Sequence, residues 1–301
     1  MALVLTEKRN ATGIITLNNL DKRNALSEAL IEEVTEALRG FQALNIRAVV
    51  LRAPPGVRVW SAGHDVNELP ARGRDPLGWN DPLRILIRSI QEFPAPVIAL
   101  IEGGVWGGGC ELAMACDLLV TTPDATFAIT PAKLGVPYNL GGLLTLTNMI
   151  PLPAAKEMLF TAQPIPAEQA FNLGIINYVK PADEIETFVL DMAAKIAANS
   201  PLSIAVMKEE LRLLSGAHAI TPELFERIQG LRAAGHKVWL VKEVPLQEII
   251  VPYRLSRLAM MNRPVDGEGL AVAEHVKRQA FITQLFDELA AADSGVAVLD
   301  P

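Results

Sequence analysis

Two glycine-bearing segments carry the residue types best suited to chemistry. They are Ser61–Ala62–Gly63–His64–Asp65 and Gly103–Gly104–Val105–Trp106–Gly107–Gly108–Gly109. Each follows an expected strand and precedes an expected helix. A strand-to-helix turn presents free backbone N–H groups at the positive end of the helix dipole. Glycine lets such a backbone come close to a ligand. Two such turns face to face would place two N–H donors on one carbonyl oxygen, which is an oxyanion hole. The alternative is tight packing or an anion nest, since glycine serves turns of every kind. The nucleotide motifs fail in detail. Gly103–Gly109 lacks the Lys-Ser/Thr of a P-loop, and no G-x-G-x-x-G followed by a ribose-binding acid is present.

Composition narrows the classes further. The chain has 301 residues, of which 50% are apolar and 20% charged, with a net charge of −7. No Lys/Arg-rich block is present, which argues against a nucleic-acid or anionic-membrane partner. An anionic small ligand stays compatible, because helix dipoles and a few cations can hold one. Cys110 and Cys116 lie in one apolar segment and the four histidines are scattered, so no metal site is expected. Buried reduced thiols fit a cytoplasmic protein. Met1–Asn10 lacks the apolar core of a signal peptide, and no apolar run reaches the length of a membrane span.

The elements that must position these turns alternate. Leu3–Lys8 and Thr12–Asn18 read as a hairpin. Ser27 caps a helix whose apolar stripe is Leu30, Ile31, Val34, Leu38 and Phe41. Ala48–Leu51 has the length and β-branching of a buried strand, and another strand leads into Ser61. A helix is expected over Asp81–Phe93, then strands at Pro96–Ile101, Asp117–Thr122 and Thr126–Ile129. From Pro153 helices dominate: Ala154–Phe160, Pro166–Leu173, Glu184–Asn199, Leu202–Leu214 and Pro222–Arg232. The order predicts an α/β core with a helical C-terminal part.

The motifs Asn24–Ala25–Leu26, Ser61–Asp65, Gly107–Gly108–Gly109–Cys110–Glu111–Leu112, Cys116–Asp117–Leu118, Leu134–Gly135 and Gly141–Gly142 resemble, in order, the crotonase (enoyl-CoA hydratase/isomerase) superfamily. The resemblance extends to about Arg232. It implies a crotonase-like spiral of ββα turns over residues 1–200 that holds an acyl-CoA site. A helical oligomerisation region would follow over 201–301, assembling a homotrimer or a dimer of trimers. It places the oxyanion donors at His64 and Gly108, with His64 acting through its N–H rather than its imidazole. It sets Ala25, Leu26, Ala62, Gly63, Asp65 and Val66 along the CoA moiety, which is part of the substrate; no further cofactor is implied. Lys22 and Arg23 are then phosphate partners, or else solvated surface cations. Trp106 walls the acyl pocket, or belongs to the core.

Further stretches, including Asn67–Glu68–Leu69–Pro70, Asp81–Pro82–Leu83–Arg84, Thr130–Pro131 and Val136–Pro137–Tyr138–Asn139, resemble the methylmalonyl-CoA decarboxylases, a branch of that superfamily. Hydration in the superfamily uses two carboxylates around a water. One position is filled by Glu111, while the other falls on Pro131, which can neither give nor take a proton. Loss of CO2 from a malonyl-type thioester needs only that the enolate charge be held as it appears. By resemblance, Thr130 and Tyr138 orient the departing carboxylate or supply the proton. For Tyr138 the alternative is a buried tyrosine with a satisfied hydroxyl; for Glu111 it is a structural carboxylate near a helix start. Methylmalonyl-CoA decarboxylation is the reaction expected. Another crotonase reaction with Glu111 as sole acid/base, or a catalytically silent acyl-CoA binder, are the competing readings. After residue 233 the pattern departs from the family, with Lys277–Arg278 resuming it; Lys277 is a candidate phosphate contact.

Overall fold

Short runs of β-branched and aliphatic residues become the strands, as their side chains suit a pleated, buried surface. The structure, a computed structural model, describes residues 2–68 and 80–214. Strands β1 (Val4–Arg9) and β2 (Thr12–Leu17) form an antiparallel hairpin. Helix α1 (Glu28–Ala43) follows, capped by the Ser27 hydroxyl, which accepts from the Leu30 N–H, and its expected apolar stripe is buried. Then come three strand pairs: β3 (Ala48–Arg52) with β4 (Val59–Ser61), β5 (Val97–Ile101) with β6 (Gly104–Trp106), and β7 (Leu118–Thr121) with β8 (Thr126–Ala128). A helix comes after each pair: α2 (Pro82–Gln91), α3 (Gly108–Met114) and α4 (Leu140–Met149). The chain continues through α5 (Leu152–Thr161), β9 (Ile165–Pro166), α6 (Ala167–Asn172), β10 (Tyr178–Val179), α7 (Ile185–Ala198) and α8 (Pro201–Leu214).

The first strand of each pair enters a six-stranded sheet, ordered β1-β2-β3-β5-β7-β10, and the second enters a four-stranded sheet, ordered β4-β6-β8-β9. Each ββα turn therefore steps once through both sheets, and the core is the expected spiral. The central strands β3 and β5 of the six-stranded sheet are buried on both faces. Val49, Leu51, Ala99 and Ile101 face the main core with α1 and α2. Ala48, Val50, Ile98 and Leu100 face Ile185, Val189 and Ala193 of α7. Two buried faces explain why these strands read as unbroken apolar runs rather than as alternation.

Where strands change sheet, the backbone is tight. Gly103 has φ +78°, and a Cβ there would lie 2.5 Å from the Arg58 carbonyl oxygen, so only glycine fits the crossing from β5 to β6. The segment expected as one glycine turn is thus two turns with β6 between them. Helix α4 is a second difference: Gly141 and Gly142 lower its propensity, yet the Asn139 side chain caps it by accepting from the Gly142 N–H at 2.9 Å.

Helix α8 is tied back to the core by Lys208, whose ammonium donates to the Asp117 carboxylate (2.7 Å) and to the Ile90 and Ala95 carbonyls. Among the described residues no single helix is long and apolar enough to cross a membrane. The family-like stretch at 69–79, the expected helix Pro222–Arg232, the departure after residue 233 and Lys277 lie outside the described residues.

Candidate active site

His64 owes its free N–H to its neighbours. It pairs with Leu26 in an isolated parallel bridge. The Leu26 N–H donates to the Gly63 carbonyl (2.8 Å) and the Asp65 N–H to the Leu26 carbonyl (3.2 Å). In that pattern residues on either side of His64 bond the partner, and the His64 N–H points the other way. It points toward the second glycine segment. A Cβ on Gly63 would lie 2.8 Å from the Gly108 nitrogen, and one on Gly108 would lie 3.2 Å from the His64 nitrogen. Gly107 has φ +52° and ψ −122° and donates to the Ala128 carbonyl at 2.8 Å. That bend sets the Gly108 N–H as the first of α3, one of the donors a helix leaves unpaired. Among the described residues no acceptor takes either N–H. The first donor differs from expectation in origin: residues 65–68 continue as turn, so the bridge, not a helix start, frees it.

The helix that starts at Gly108 also carries a buried carboxylate. Glu111 is 2% exposed on α3. Its Oε1 accepts from Arg84 Nη1 at 2.7 Å and its Oε2 from Asn139 Nδ2 at 2.8 Å, while the same Arg84 nitrogen donates to Asn139 Oδ1 at 3.1 Å. Burial pushes the Glu111 carboxyl above the ordinary carboxylate range, and Arg84 and Asn139 pull against that rise. The two partners come from the start of α2 and the cap of α4. Neither was singled out as a site residue from sequence. The signal was there in part: a carboxylate inside the otherwise apolar run Gly109–Met114 needs a cation or strong donor.

Tyr138 lies near Glu111, and Thr130 lies beside Gly107. The Tyr138 ring packs where Gly142 lacks a side chain; a Cβ there would meet the ring at 2.7 Å and the hydroxyl oxygen at 2.9 Å. Burial, and next the Glu111 charge, push its phenol well above the usual range, so the hydroxyl stays protonated. No acceptor or donor among the described residues pairs with it. The Thr130 hydroxyl lies 3.1 Å from where a Gly107 Cβ would be, beside the turn that opens α3. Pro131 opens a short 3-10 helix, Pro131–Leu134, and brings no second carboxylate. Leu83 of α2 covers Gly108, its Cδ2 lying 2.9 Å from the missing Cβ.

The His64 imidazole is turned to other partners. Its Nδ1 contacts the Asp65 carbonyl at 3.1 Å and its Nε2 lies 3.7 Å from Asp81. Asp65 is buried and pairs with Lys22 at 3.2 Å, while Lys22 is 61% exposed and reaches solvent. Of the residues expected along CoA, Ala25 and Ala62 are half-buried and Val66 is exposed. The Leu26 side chain is fully buried, so only its backbone can border a ligand. Trp106 is half-buried, its indole folded against Gly104. Cys110 and Cys116 are buried and unpaired; burial pushes the Cys110 thiol up to about 12. Among the described residues no cluster of metal-ligating side chains occurs.

The profile of the enoyl-CoA hydratase/isomerase family matches residues 7–225. The chain belongs to that family. Within the family, it is 48% identical over 225 residues to methylmalonyl-CoA decarboxylase of Escherichia coli, covering 75% of this chain and 86% of the relative. Among solved structures it is similar to methylmalonyl-CoA decarboxylase complexed with 2S-carboxypropyl-CoA (TM-score 0.72, 46% identity, 78% of this chain, 90% of the other). It is equally similar to the same enzyme in complex with 2-nitronate-propionyl-CoA (TM-score 0.72, 47% identity, 77% and 89%).

Proposed function

We propose that this member of the enoyl-CoA hydratase/isomerase family is a carboxy-lyase that converts methylmalonyl-CoA to propionyl-CoA and CO2. The observation that carries the reading is the pair of unclaimed N–H groups of His64 and Gly108, brought together where the two glycine segments meet, with Thr130 beside Gly107 and proline at position 131. The relationship to methylmalonyl-CoA decarboxylase supports it.

The thioester oxygen accepts both N–H groups. The bond between the α-carbon and the carboxylate breaks, CO2 leaves, and its electron pair moves into the thioester as an enolate. The two donors stabilise the charge as it forms, which is where catalysis acts. Thr130 hydrogen-bonds the departing carboxylate, and Tyr138 gives its hydroxyl proton to the α-carbon and takes another from solvent before the next turnover. CoA lies along Ala25, the Leu26 backbone and Ala62–Val66, with Lys22 near its phosphates. The reading needs no metal and no cofactor beyond the substrate's own CoA. It includes a cytoplasmic homotrimer or dimer of trimers.

Gly108→Pro tests the oxyanion role. Gly108 is the first residue of α3, where proline removes no intrahelical hydrogen bond. The proline ring displaces the end of the Leu83 side chain, 2.9 Å from the Cβ position; a variant shown to fold and bind propionyl-CoA should lose about 3 kcal/mol of transition-state stabilisation, roughly a hundredfold or more in kcat. A folded, ligand-binding variant with near wild-type turnover contradicts the assignment.

A further inference from the structure

Glu111 poses a question that decarboxylation does not answer. A buried carboxylate beside an acyl α-carbon is a natural base, and an enzyme whose enolate arises by C–C cleavage has no use for one. A free base there would draw the product back to the enolate by removing an α-proton. The geometry around Glu111 bears on this.

Arg84 reaches Glu111 across a space that exists only because residue 141 is glycine. A Cβ on Gly141 would lie 2.0 Å from Arg84 Nη2, 2.2 Å from Nη1 and 2.4 Å from Cζ. The guanidinium occupies that space, and its Nη1 bonds Glu111 and the Asn139 carbonyl together. Asn139 closes the ring by donating to the other Glu111 oxygen. Asn139 is itself fixed, since its Oδ1 caps α4. Both Glu111 oxygens thus carry a strong hydrogen bond, one of them charge-assisted. The adjacent glycine, Gly142, makes the corresponding space for Tyr138. Consecutive glycines therefore seat the group that restrains the carboxylate and the group assigned to protonation.

We propose that Arg84 is a positioning residue that fixes the reaction class. Seated over Gly141, it holds Glu111 through a charge-assisted hydrogen bond and withholds that carboxylate from proton transfer at the acyl α-carbon. The inference rests on the reading of the site as an acyl-CoA enolate site, and it assigns a role to Arg84 and Gly141 beyond that reading.

Removing Arg84 unveils Glu111 as a base. In the step that becomes possible, Glu111 takes an α-proton from the thioester. The C–H bond breaks, an O–H bond forms on Glu111, and the electron pair moves to the thioester oxygen under the His64 and Gly108 N–H groups. In D2O the proton on Glu111 exchanges and a deuteron returns to carbon. The charged or titrating groups around Glu111 are Arg84 and Asp81 from the α2 end, Cys110 on its own helix, and Tyr138 before α4; His64 stands behind Asp81. Without Arg84, nothing in this set offsets burial with a positive charge on Glu111, so exchange should increase with pH as the carboxyl ionises.

The experiment follows deuterium entry at the α-carbon of propionyl-CoA in D2O by mass spectrometry. Wild type should exchange slowly. Arg84→Met should exchange at least about tenfold faster, a modest share of what a positioned base supplies, with the rate climbing as pH rises. Arg84→Met combined with Glu111→Gln should return to the wild-type rate. Gly141→Ala displaces only the end of a flexible side chain and suits a helix; it should fold and reproduce the gain, and it decides alone if Arg84→Met does not fold. Folded variants that exchange at the wild-type rate, or a gain that survives Glu111→Gln, overturn the proposal. A lower melting temperature without any gain assigns Arg84 to structure alone. Decarboxylation of methylmalonyl-CoA by wild type, run in parallel, reports on the function separately. Turnover without the Arg84 effect sinks only the clamp, and the effect without turnover sinks only the decarboxylase reading.

Discussion

Tyr138 joins the site by its ring and its hydroxyl separately, and the two can be tested apart. Tyr138→Phe keeps the ring over Gly142 and removes the hydroxyl. It should lower kcat about a hundredfold, in the range of a lost proton donor, while KM for the CoA ester stays within about twofold. A group acting only in the transition state lowers kcat and kcat/KM together. Gly142→Ala makes the complementary change: it leaves every functional atom in place but puts a methyl 2.7 Å from the ring. It should reduce kcat in the same direction by displacing Tyr138. Steady-state kinetics with melting curves check both; an unchanged kcat with a lower melting temperature would return Tyr138 to the core. Residue types and order were enough to single out Glu111, Thr130 and Tyr138 as candidates through their resemblance to a family. Arg84 and Asn139 were hidden because a partner for a buried charge is chosen by three-dimensional approach. Arg84 and Arg88 sit one turn apart on α2, and sequence alone does not say which one reaches Glu111.

At the scale of elements, the contact between His64 and Asp81 links the Gly63–His64 turn to the start of α2. Asp81 also caps that helix, its Oδ1 accepting from the Leu83 N–H at 2.9 Å. Burial pushes the His64 imidazole down, but Asp81 and the Asp65 carbonyl push it up further, and the net shift is upward. A raised imidazole stabilises the fold fully below its unfolded value of about 6.5 and loses that contribution as pH rises through the folded value. Asp81→Asn keeps a good cap and removes the charge. The wild type should therefore melt higher than Asp81→Asn below about pH 6.5, with the gap closing toward pH 8; a gap that is constant with pH would mean the ring is uncharged throughout. Elements with strong local patterns were legible in the sequence, from the α1 stripe to the β3 run. β6 was not, since three residues inside a glycine segment carry no period. α4 was not, because its paired glycines argue against a helix until the cap and the seated side chains are seen.

At the scale of the molecule, alternation of strands and helices gave the α/β class, while the spiral came only from the family resemblance. The reason is physical: each strand pair splits between two sheets, and nothing in a local pattern records which sheet a strand joins. The same spiral brings Gly63 on one turn against Gly108 on the next, residues distant in sequence and adjacent in the fold. The central claim is that this point serves C–C cleavage of a carboxylated thioester rather than addition of water. The most direct measurement gives the purified protein methylmalonyl-CoA and crotonyl-CoA in parallel and follows propionyl-CoA with CO2 in one and 3-hydroxybutyryl-CoA in the other. The account predicts rapid release of CO2 and hydration slower by at least about a hundredfold, the order of one missing acid/base group. Hydration as fast as decarboxylation, or binding of both esters with turnover of neither, would contradict it.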